Sequence, residues 1–345
     1  MKLDSFCLVP WYSLEPPLRE FNDRACCFWP KTYDINEIKQ TFLHGDKHKD
    51  CQRCWFNEEK NLISKRTQDN RYILETLGLT MDQAVDNIKH GDVKPLFYQL
   101  SISNLCNQAC VTCDGLVSTR WLTLDPKSGN GIVIDRSHEL DIDLQHAQKI
   151  SFTGGEPLYD PAVFDLLEKL IKLGNTQCNI VFVTNGSQQI KNRHRNILDH
   201  FDNVDVVVSI DGIGPVFEYI RWPGKWSVIE NNLKEYQSQF RHVSVSYTIS
   251  SLNIWYHDQT IQWFKENNLN YNFNTVERPR WANPRLMPTN LKQHIKNNTF
   301  AEQFKTVNGK EISLDELVQE LTRQDSLKKT NFRDYLPELS VFIDS

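Results

Sequence analysis

Three cysteines lie close together in the segment SNLCNQACVTCDG, at Cys106, Cys110 and Cys113. Their C-x3-C-x2-C spacing places three thiols in one loop, directly after a short apolar run. Three thiolates hold three irons of a four-iron cluster and leave the fourth iron open to a ligand. A structural zinc ion needs a fourth ligand nearby, which this loop does not supply. The spacing therefore favours a cluster with one open iron, with a zinc loop or three core thiols as the alternative.

A second group of thiols lies near the start of the chain, in the settings CLVPW, ACCFWP and DCQRCWF. Its members are Cys7, Cys26, Cys27, Cys51 and Cys54. In a reducing compartment, cysteines at this density are more often metal ligands than disulfide partners. Four thiolates with one C-x2-C pair suit either zinc or a fully ligated four-iron cluster, and spacing alone does not choose between them. Of the adjacent pair we favour Cys26 over Cys27 as the ligand.

The elements that must position these residues are short apolar runs that alternate with amphipathic helices. The runs, rich in Val, Ile, Phe and Thr, predict buried parallel strands at 97–103, 148–153, 179–184, 204–210, 243–249 and 270–276. Helical patterns occupy 161–173, 187–200, 226–239 and 256–267. Six strand–helix units are too few for a closed eightfold barrel, and the first has no glycine-rich dinucleotide fingerprint. The sequence therefore predicts an α/β fold, a partial (β/α)6 TIM-like barrel.

Composition divides the chain into four parts. Residues 1–75 are predicted to form a small cysteine-rich metal module, and 76–96 a helical linker. The barrel is predicted over 97–284, followed by a helical C-terminal extension over 285–345 that covers the open side of the barrel.

The loop cysteines combine with a second motif, the GGEP turn Gly154–Pro157 after the next predicted strand. Together the two motifs resemble those of the radical S-adenosylmethionine (radical SAM) superfamily. One departure is Thr112, because the residue before the last cysteine is usually aromatic in that family. The resemblance implies that a [4Fe-4S] cluster binds SAM through its open iron and, when reduced, cleaves it to a 5′-deoxyadenosyl radical that abstracts a substrate hydrogen. It also implies an external electron donor such as flavodoxin or ferredoxin.

The resemblance further assigns SAM-binding roles to residues at the carboxyl ends of successive strands. They are Gly154, Gly155, Glu156, Pro157, Asn185, Ser209, Asp211 and Arg221. In this assignment the two glycines let the backbone approach the ligand, and Glu156 accepts from the methionine ammonium. Ser209 and Asp211 suit the ribose hydroxyls. Arg221 suits the methionine carboxylate, with a solvated surface arginine as the alternative; no catalytic acid or base is assigned.

The N-terminal thiols also resemble a known pattern. The CxxPW start at Cys7 and the C-x2-C pair of Cys51 and Cys54 look like the auxiliary-cluster modules called SPASM and twitch, which in most relatives follow the barrel. The resemblance implies a second [4Fe-4S] cluster on Cys7, Cys26, Cys51 and Cys54. That cluster would take up an electron from the substrate radical, contact the substrate, or hold the module together.

Charge and hydropathy limit the other possibilities. With 39 Lys and Arg against 44 Asp and Glu, the net charge is −5, which does not support a nucleic-acid partner. No signal-peptide core opens the sequence and no run of about 18 apolar residues occurs, so a membrane span is not predicted and a cytoplasmic location is expected.

The sequence thus predicts a radical SAM enzyme that oxidises or cyclises an unknown substrate, either a small molecule or nucleotide-like, as an oxidoreductase or cyclase. A peptide-modifying maturase is the alternative within the same superfamily. The alternative from another class is a non-catalytic two-cluster protein that transfers electrons or binds a ligand.

Overall fold

The computed structural model of the 345-residue chain describes residues 3–15, 26, 34–91, 93–135, 142–295, 304 and 310–343. Cys27, the alternative N-terminal ligand, lies outside these residues.

Seven parallel strands form one sheet in the order β1-β2-β3-β4-β5-β6-β7. The strands are β1 Ser13–Leu14, β2 Phe97–Ser101, β3 Lys149–Thr153, β4 Asn179–Thr184, β5 Val204–Ser209, β6 His242–Ile249 and β7 Asn270–Thr275. Strands β2 to β7 match the six predicted runs to within two residues at either end. The α/β class and the partial TIM-like barrel are therefore confirmed.

Fifteen α-helices are present in the described residues. They are α1 Val9–Tyr12, α2 Ile35–His44, α3 Gln52–Glu59, α4 Lys65–Leu77, α5 Met81–His90, α6 Thr119–Leu124, α7 Pro161–Lys172, α8 Asn192–Leu198, α9 Gly214–Ile220, α10 Trp226–Gln239, α11 His257–Glu266, α12 Thr289–Lys292, α13 Leu314–Lys328, α14 Phe332–Tyr335 and α15 Pro337–Ile343. In this described part of the chain, no helix has the length and hydropathy that a bilayer crossing requires.

Helix α7 shows how local sequence fixes an element. The side chain of Asp160 accepts from the backbone amide of Ala162, and Pro161 fits the first turn, where no amide donor is needed. Phe164 and Leu167 are buried against the sheet. Gly174, at φ +75°, follows the end of the helix. The helix therefore orients the GGEP turn that precedes it.

The two faces of the sheet differ in polarity. On one face, alternate residues of the strands, such as Phe152 and Phe182, belong to the main core with the helices. The opposite face carries polar side chains, including Ser246 in β6, which is half-buried, and Asn272 in β7, which is exposed. The prediction of buried strands therefore holds for only one face of β6, and it is wrong for β7, an edge strand that, within the described sheet, pairs with β6 alone and has no buried residue.

The N-terminal part of the chain has a core of its own. Apolar residues from Phe6 to Ile88 share this core with Phe97 of β2, so helix α5 packs within it. Strand β1 pairs in parallel with β2, and the ring of Tyr72 in α4 lies 5.5 Å from that of Phe97. The Nζ atom of Lys149, at the start of β3, lies 4.4 Å from the ring centre of Tyr72. The N-terminal unit thus covers the amino-terminal ends of β2 and β3.

Helix α13 of the C-terminal extension packs on the cysteine loop. The side-chain amide of Gln324 donates to the carbonyl of Val111 over 3.0 Å, and Gln324 is buried. Val111 lies between two of the loop cysteines, so α13 holds that loop from outside the sheet.

Candidate active site

The cysteine loop begins where β2 ends, and side chains within it fix its path. The side-chain amide of Asn104 donates to the carbonyls of Gly115 and Ile132 over 2.9 Å each, and its oxygen accepts from the amide of Ile134. The indole Nε1 of Trp121 donates to the carbonyl of Cys110 over 2.9 Å. Because these bonds satisfy the backbone of the loop, its thiols are held in place before any ligand binds.

Arg221 lies beside Cys110 because their backbones pair. The amides on either side of Cys110, at positions 109 and 111, donate to the carbonyls on either side of Arg221, at positions 222 and 220, over 2.7 Å each. The guanidinium Nη1 lies 4.0 Å from the sulfur of Cys110. Arg221 follows the last residue of α9, the helix after β5, so that short helix sets its position.

The GGEP turn packs directly on the cysteine loop. The amide of Gly155 donates to the carbonyl of Ser103, and that of Glu156 to the carbonyl of Leu105, over 3.1 and 2.8 Å. A Cβ on Gly155 would lie 2.2 Å from the Leu105 oxygen, and one on Gly154 would lie 2.9 Å from that of Ser103. Gly154 also has φ +103°. The two glycines therefore permit the contact between turn and loop; their predicted approach to a ligand stays a prediction.

The carboxylate of Glu156 points into the protein. It accepts from the Thr184 hydroxyl over 2.7 Å, from the Asn185 amide over 2.6 Å and from the Leu158 amide over 3.0 Å. Burial raises the pKa of Glu156 to about 7. Pro157, which follows it, is also buried. Glu156 thus joins the GGEP turn to the turn after β4, and its predicted bond to a ligand ammonium would have to share these oxygens.

The predicted residues after β4 and β5 also meet the loop. The side-chain amide of Asn185 lies 2.9 Å from the side-chain oxygen of Asn107 and 3.9 Å from the sulfur of Cys106. Ser209 is half-buried at the end of β5, beside Ser246 of β6. Asn185 therefore lies within reach of anything bound at the loop.

Asp211 is committed to protein partners through both carboxylate oxygens. Its Oδ2 lies 2.7 Å from Nη2 of Arg221, and its Oδ1 accepts from the amide of Thr248 over 2.9 Å. Arg221 is largely buried, so it is not the solvated surface arginine of the alternative interpretation. Its Nε is buried and has no hydrogen-bond partner among the described residues. An unpaired buried donor beside the thiols fits an anionic group of a ligand.

The loop thiols differ in their acidity. The thiol of Cys113 donates to that of Cys110 and Arg221 adds positive charge, so the pKa of Cys110 falls below its ordinary value. Burial, with the neighbouring Cys110 second, raises the pKa of Cys106 to about 12. Cys110 is therefore the first of the three to ionise, as a metal ligand must.

The donor set fits a cluster better than a single ion. Within the described ranges, no three His, Cys, Asp or Glu side chains converge closely enough to bind one metal ion. In a four-iron cluster each cysteine binds a different iron, so three donors need not surround a single metal ion. Three thiols in one preorganised loop, beside a buried guanidinium, are compatible with that arrangement.

Three of the N-terminal cysteines lie in or against one apolar core. Cys7 belongs to the N-terminal core, and Cys26 and Cys51 pack against that core. Cys54 is buried, and the backbone amide of Arg66 donates to its thiol. The amide of Val9 similarly donates to the thiol of Cys7. Burial raises the pKa of both thiols, and these amide donors oppose that effect by stabilising the thiolate.

Two residues of α4 position Cys7, and the sequence analysis missed both. The side chain of Asn70 accepts from the amide of Leu8 and donates to the carbonyl of Phe6, over 2.8 Å each. Arg66 donates to the same Phe6 carbonyl over 2.7 Å and pairs with Glu58 of α3. The sequence carried no signal that singled them out, because most residues of this helix are polar.

Comparison with known proteins gives matches only among solved structures; no family profile and no curated protein matches the chain. The enzyme anSMEcpe with bound AdoMet aligns with a TM-score of 0.44 and 17% identity, over 68% of this chain and 62% of that one. SuiB of Streptococcus suis, bound to the precursor peptide SuiA, aligns with a TM-score of 0.41 and 13% identity, over 88% and 64%. TYW1 with a lysine-pyruvate adduct aligns with a TM-score of 0.35 and 13% identity, over 67% and 73%. These are radical SAM enzymes. The chain thus spans less than two thirds of the length of the first two.

Proposed function

We propose that this protein is a radical SAM enzyme. The observation that carries the proposal is that three segments meet at the carboxyl ends of the strands through backbone hydrogen bonds. The loop of Cys106, Cys110 and Cys113 pairs with the GGEP turn on one side and with the segment of Arg221 on the other. Each segment was selected from the sequence for the same cofactor.

The residues of this site have distinct roles in the proposal. Cys106, Cys110 and Cys113 hold a [4Fe-4S] cluster, which with bound SAM supplies one-electron chemistry that removes a hydrogen atom from a substrate. Arg221 uses its unpaired Nε to bind the carboxylate of SAM, and Asp211 keeps the guanidinium oriented and charged. The rest of the proposed SAM pocket is lined by Asn185, Ser209, Gly154, Gly155, Glu156 and Pro157. Because the chain lacks a reductant of its own in this scheme, a flavodoxin or ferredoxin supplies the electron.

We also propose a second [4Fe-4S] cluster on Cys7, Cys26, Cys51 and Cys54. This proposal is supported by the backbone amides that donate to Cys7 and Cys54. It is also supported by the two hydrogen bonds through which Asn70 holds the backbone on either side of Cys7. A thiol that merely fills a core needs neither.

The concave face of the sheet favours a substrate with hydrogen-bonding groups. Ser244, Ser246 and Thr248 of β6 lie opposite Asn270, Asn272 and Asn274 of β7 in register. The hydroxyls and amides of these side chains both donate and accept hydrogen bonds. We propose oxidation or cyclisation of a small molecule or nucleotide-like substrate; if such compounds fail, peptide maturation is the reaction to test next.

The test is anaerobic reconstitution of the full chain with iron and sulfide, followed by addition of SAM and dithionite. We expect about eight irons per chain, on the four-iron stoichiometry of both sites, and formation of 5′-deoxyadenosine. In a variant with Cys106, Cys110 and Cys113 replaced by Ala, about four irons and no product are expected. Product from that variant would refute the site assignment. Well-loaded clusters that neither bind nor cleave SAM would leave the electron-transfer or binding alternative.

A further inference from the structure

Lys328, the last residue of α13, is a buried cation with no carboxylate partner among the described residues. Only 4% of its surface is exposed. Its Nζ donates to the side-chain oxygen of Gln324 over 2.6 Å, and no described carboxylate lies within ion-pairing distance. Burying an ammonium without a counter-charge is costly. The position of Lys328 therefore calls for an anion nearby.

Two contacts tie Lys328 to the cysteine loop. Its Nζ lies 4.7 Å from the ring centre of Trp121, whose Nε1 donates to the carbonyl of Cys110. Its partner Gln324 donates to the carbonyl of Val111. Both routes end on backbone carbonyls of the cysteine loop, at Cys110 and Val111, so the buried ammonium packs against the backbone of that loop.

The charged groups around Lys328 indicate which anion it interacts with. Burial lowers the pKa of Lys328 to about 7, and Cys110 and Cys113 are the strongest opposing influences. On its own helix, Asp325 accepts instead from Thr330 and the amide of Phe332. Cys110 and Cys113 are thus the acidic groups that most favour the charged form of this lysine.

We propose that Lys328 is the counter-charge of the cluster site, stabilising the negative charge added when a cluster on Cys106, Cys110 and Cys113 accepts one electron. This inference rests on the proposed function. The electron comes from an external one-electron donor, which is oxidised by one electron; no bond forms or breaks, and Lys328 keeps its protons. Lys328 therefore acts on the cluster through its charge alone, and it touches neither SAM nor substrate in this scheme.

The experiment is a redox titration of the reconstituted full chain, followed by electron paramagnetic resonance. The signal that changes when SAM is added identifies the cluster of the loop. In Lys328→Met, the ratio of reduced to oxidised cluster at a fixed potential is expected to fall about tenfold, equivalent to about 59 mV for one electron. Lys328→Arg retains the charge and is expected to titrate near wild type. Lys329→Met, which removes the neighbouring exposed lysine, is the matched control.

Iron content is measured for every variant, and Lys328→Gln removes the same charge if the methionine variant loads less iron. Equal potentials for wild type, Lys328→Met and Lys328→Gln at equal iron would overturn the inference and leave the proposed function intact. A wild-type protein with no signal that responds to SAM would instead overturn the proposed function itself.

Discussion

Asp211 and Arg221 form a buried ion pair at the carboxyl end of β5, with 2.7 Å between Oδ2 and Nη2. The pair is anchored at both ends, because Asp211 also accepts from the amide of Thr248 and the backbone around Arg221 pairs with the cysteine loop. We therefore expect a substitution at Asp211 to disturb the loop thiols by displacing Arg221.

Replacing Asp211 with Asn should lower the free energy of unfolding by about 3 kcal/mol, because it leaves a buried guanidinium without its counter-charge. Urea denaturation of the cluster-free protein measures this. Glu230→Gln is the control, since Glu230 faces Lys234 over 4.0 Å in a more exposed pair and should cost less than about 1 kcal/mol. If both variants lost the same free energy of unfolding, burial of the Asp211–Arg221 pair would add nothing to its contribution to stability.

Replacing Gly155 with Ala should separate the GGEP turn from the cysteine loop, because the new Cβ would overlap the carbonyl of Leu105. We expect loss of iron from the loop site and a lower unfolding midpoint. Gly174→Ala is the matched control, since an added Cβ at Gly174 meets no neighbour within 4 Å. With its positive φ, it should cost about 1 kcal/mol from backbone strain alone and retain its iron. Full iron in the Gly155→Ala variant would contradict the steric argument.

The buried carboxyl of Glu156 should make the stability of the cluster-free protein pH-dependent. Its pKa rises from an ordinary 4.5 to about 7 on folding, so the folded state keeps a proton that the unfolded state releases. This contribution to stability is fully present below about pH 4.5 and is lost as the pH rises through 7. Denaturation at about pH 5 and about pH 8 should therefore show wild type losing stability relative to Glu156→Gln at the higher pH. A wild-type-to-variant difference that is the same at both pH values would be inconsistent with a raised pKa.

Replacing Asn70 with Ala should weaken the N-terminal site selectively. The change leaves the Leu8 amide and the Phe6 carbonyl short of one partner each, at about 1–3 kcal/mol for a buried group left unsatisfied. Iron should fall from about eight per chain toward about four, while cleavage of SAM by the loop site persists. Gln68→Ala, at an exposed position of the same helix, should keep all its iron. If the variant lost SAM cleavage but kept its N-terminal iron, Asn70 would support the loop site and not the N-terminal site.

The barrel was predictable because its strands are apolar on the face that meets the helices. Val245 and Tyr247 are fully buried there, and they alternate with the half-buried Ser244 and Ser246 of the polar face, which the sequence analysis did not predict. Strand β1 was not predictable, because Ser13–Leu14 is too short to show any period and is held in place by β2.

At the site, the sequence identified which residues converge but not what each one contacts. Cys110 and Arg221 are 111 positions apart, and only backbone pairing between their segments reveals that they are neighbours. Glu156 was assigned to a ligand because its motif suggested it; its three donors within the protein depend on the turn after β4, which local sequence does not specify. Lys328 lies farther still from the motifs, and no spacing rule connects it to them.

The parallel pairing of β1 with β2 sets the separation of the two groups of thiols. Cys7 precedes β1 at the amino end of the sheet, whereas Cys106 follows β2 at the carboxyl end. The five residues of β2 span about 16 Å at roughly 3.3 Å per residue. The strand therefore separates the amino end of the sheet from its carboxyl end by that distance. In the proposed enzyme with two clusters, the length of the strands therefore contributes to the distance that an electron would cross between them.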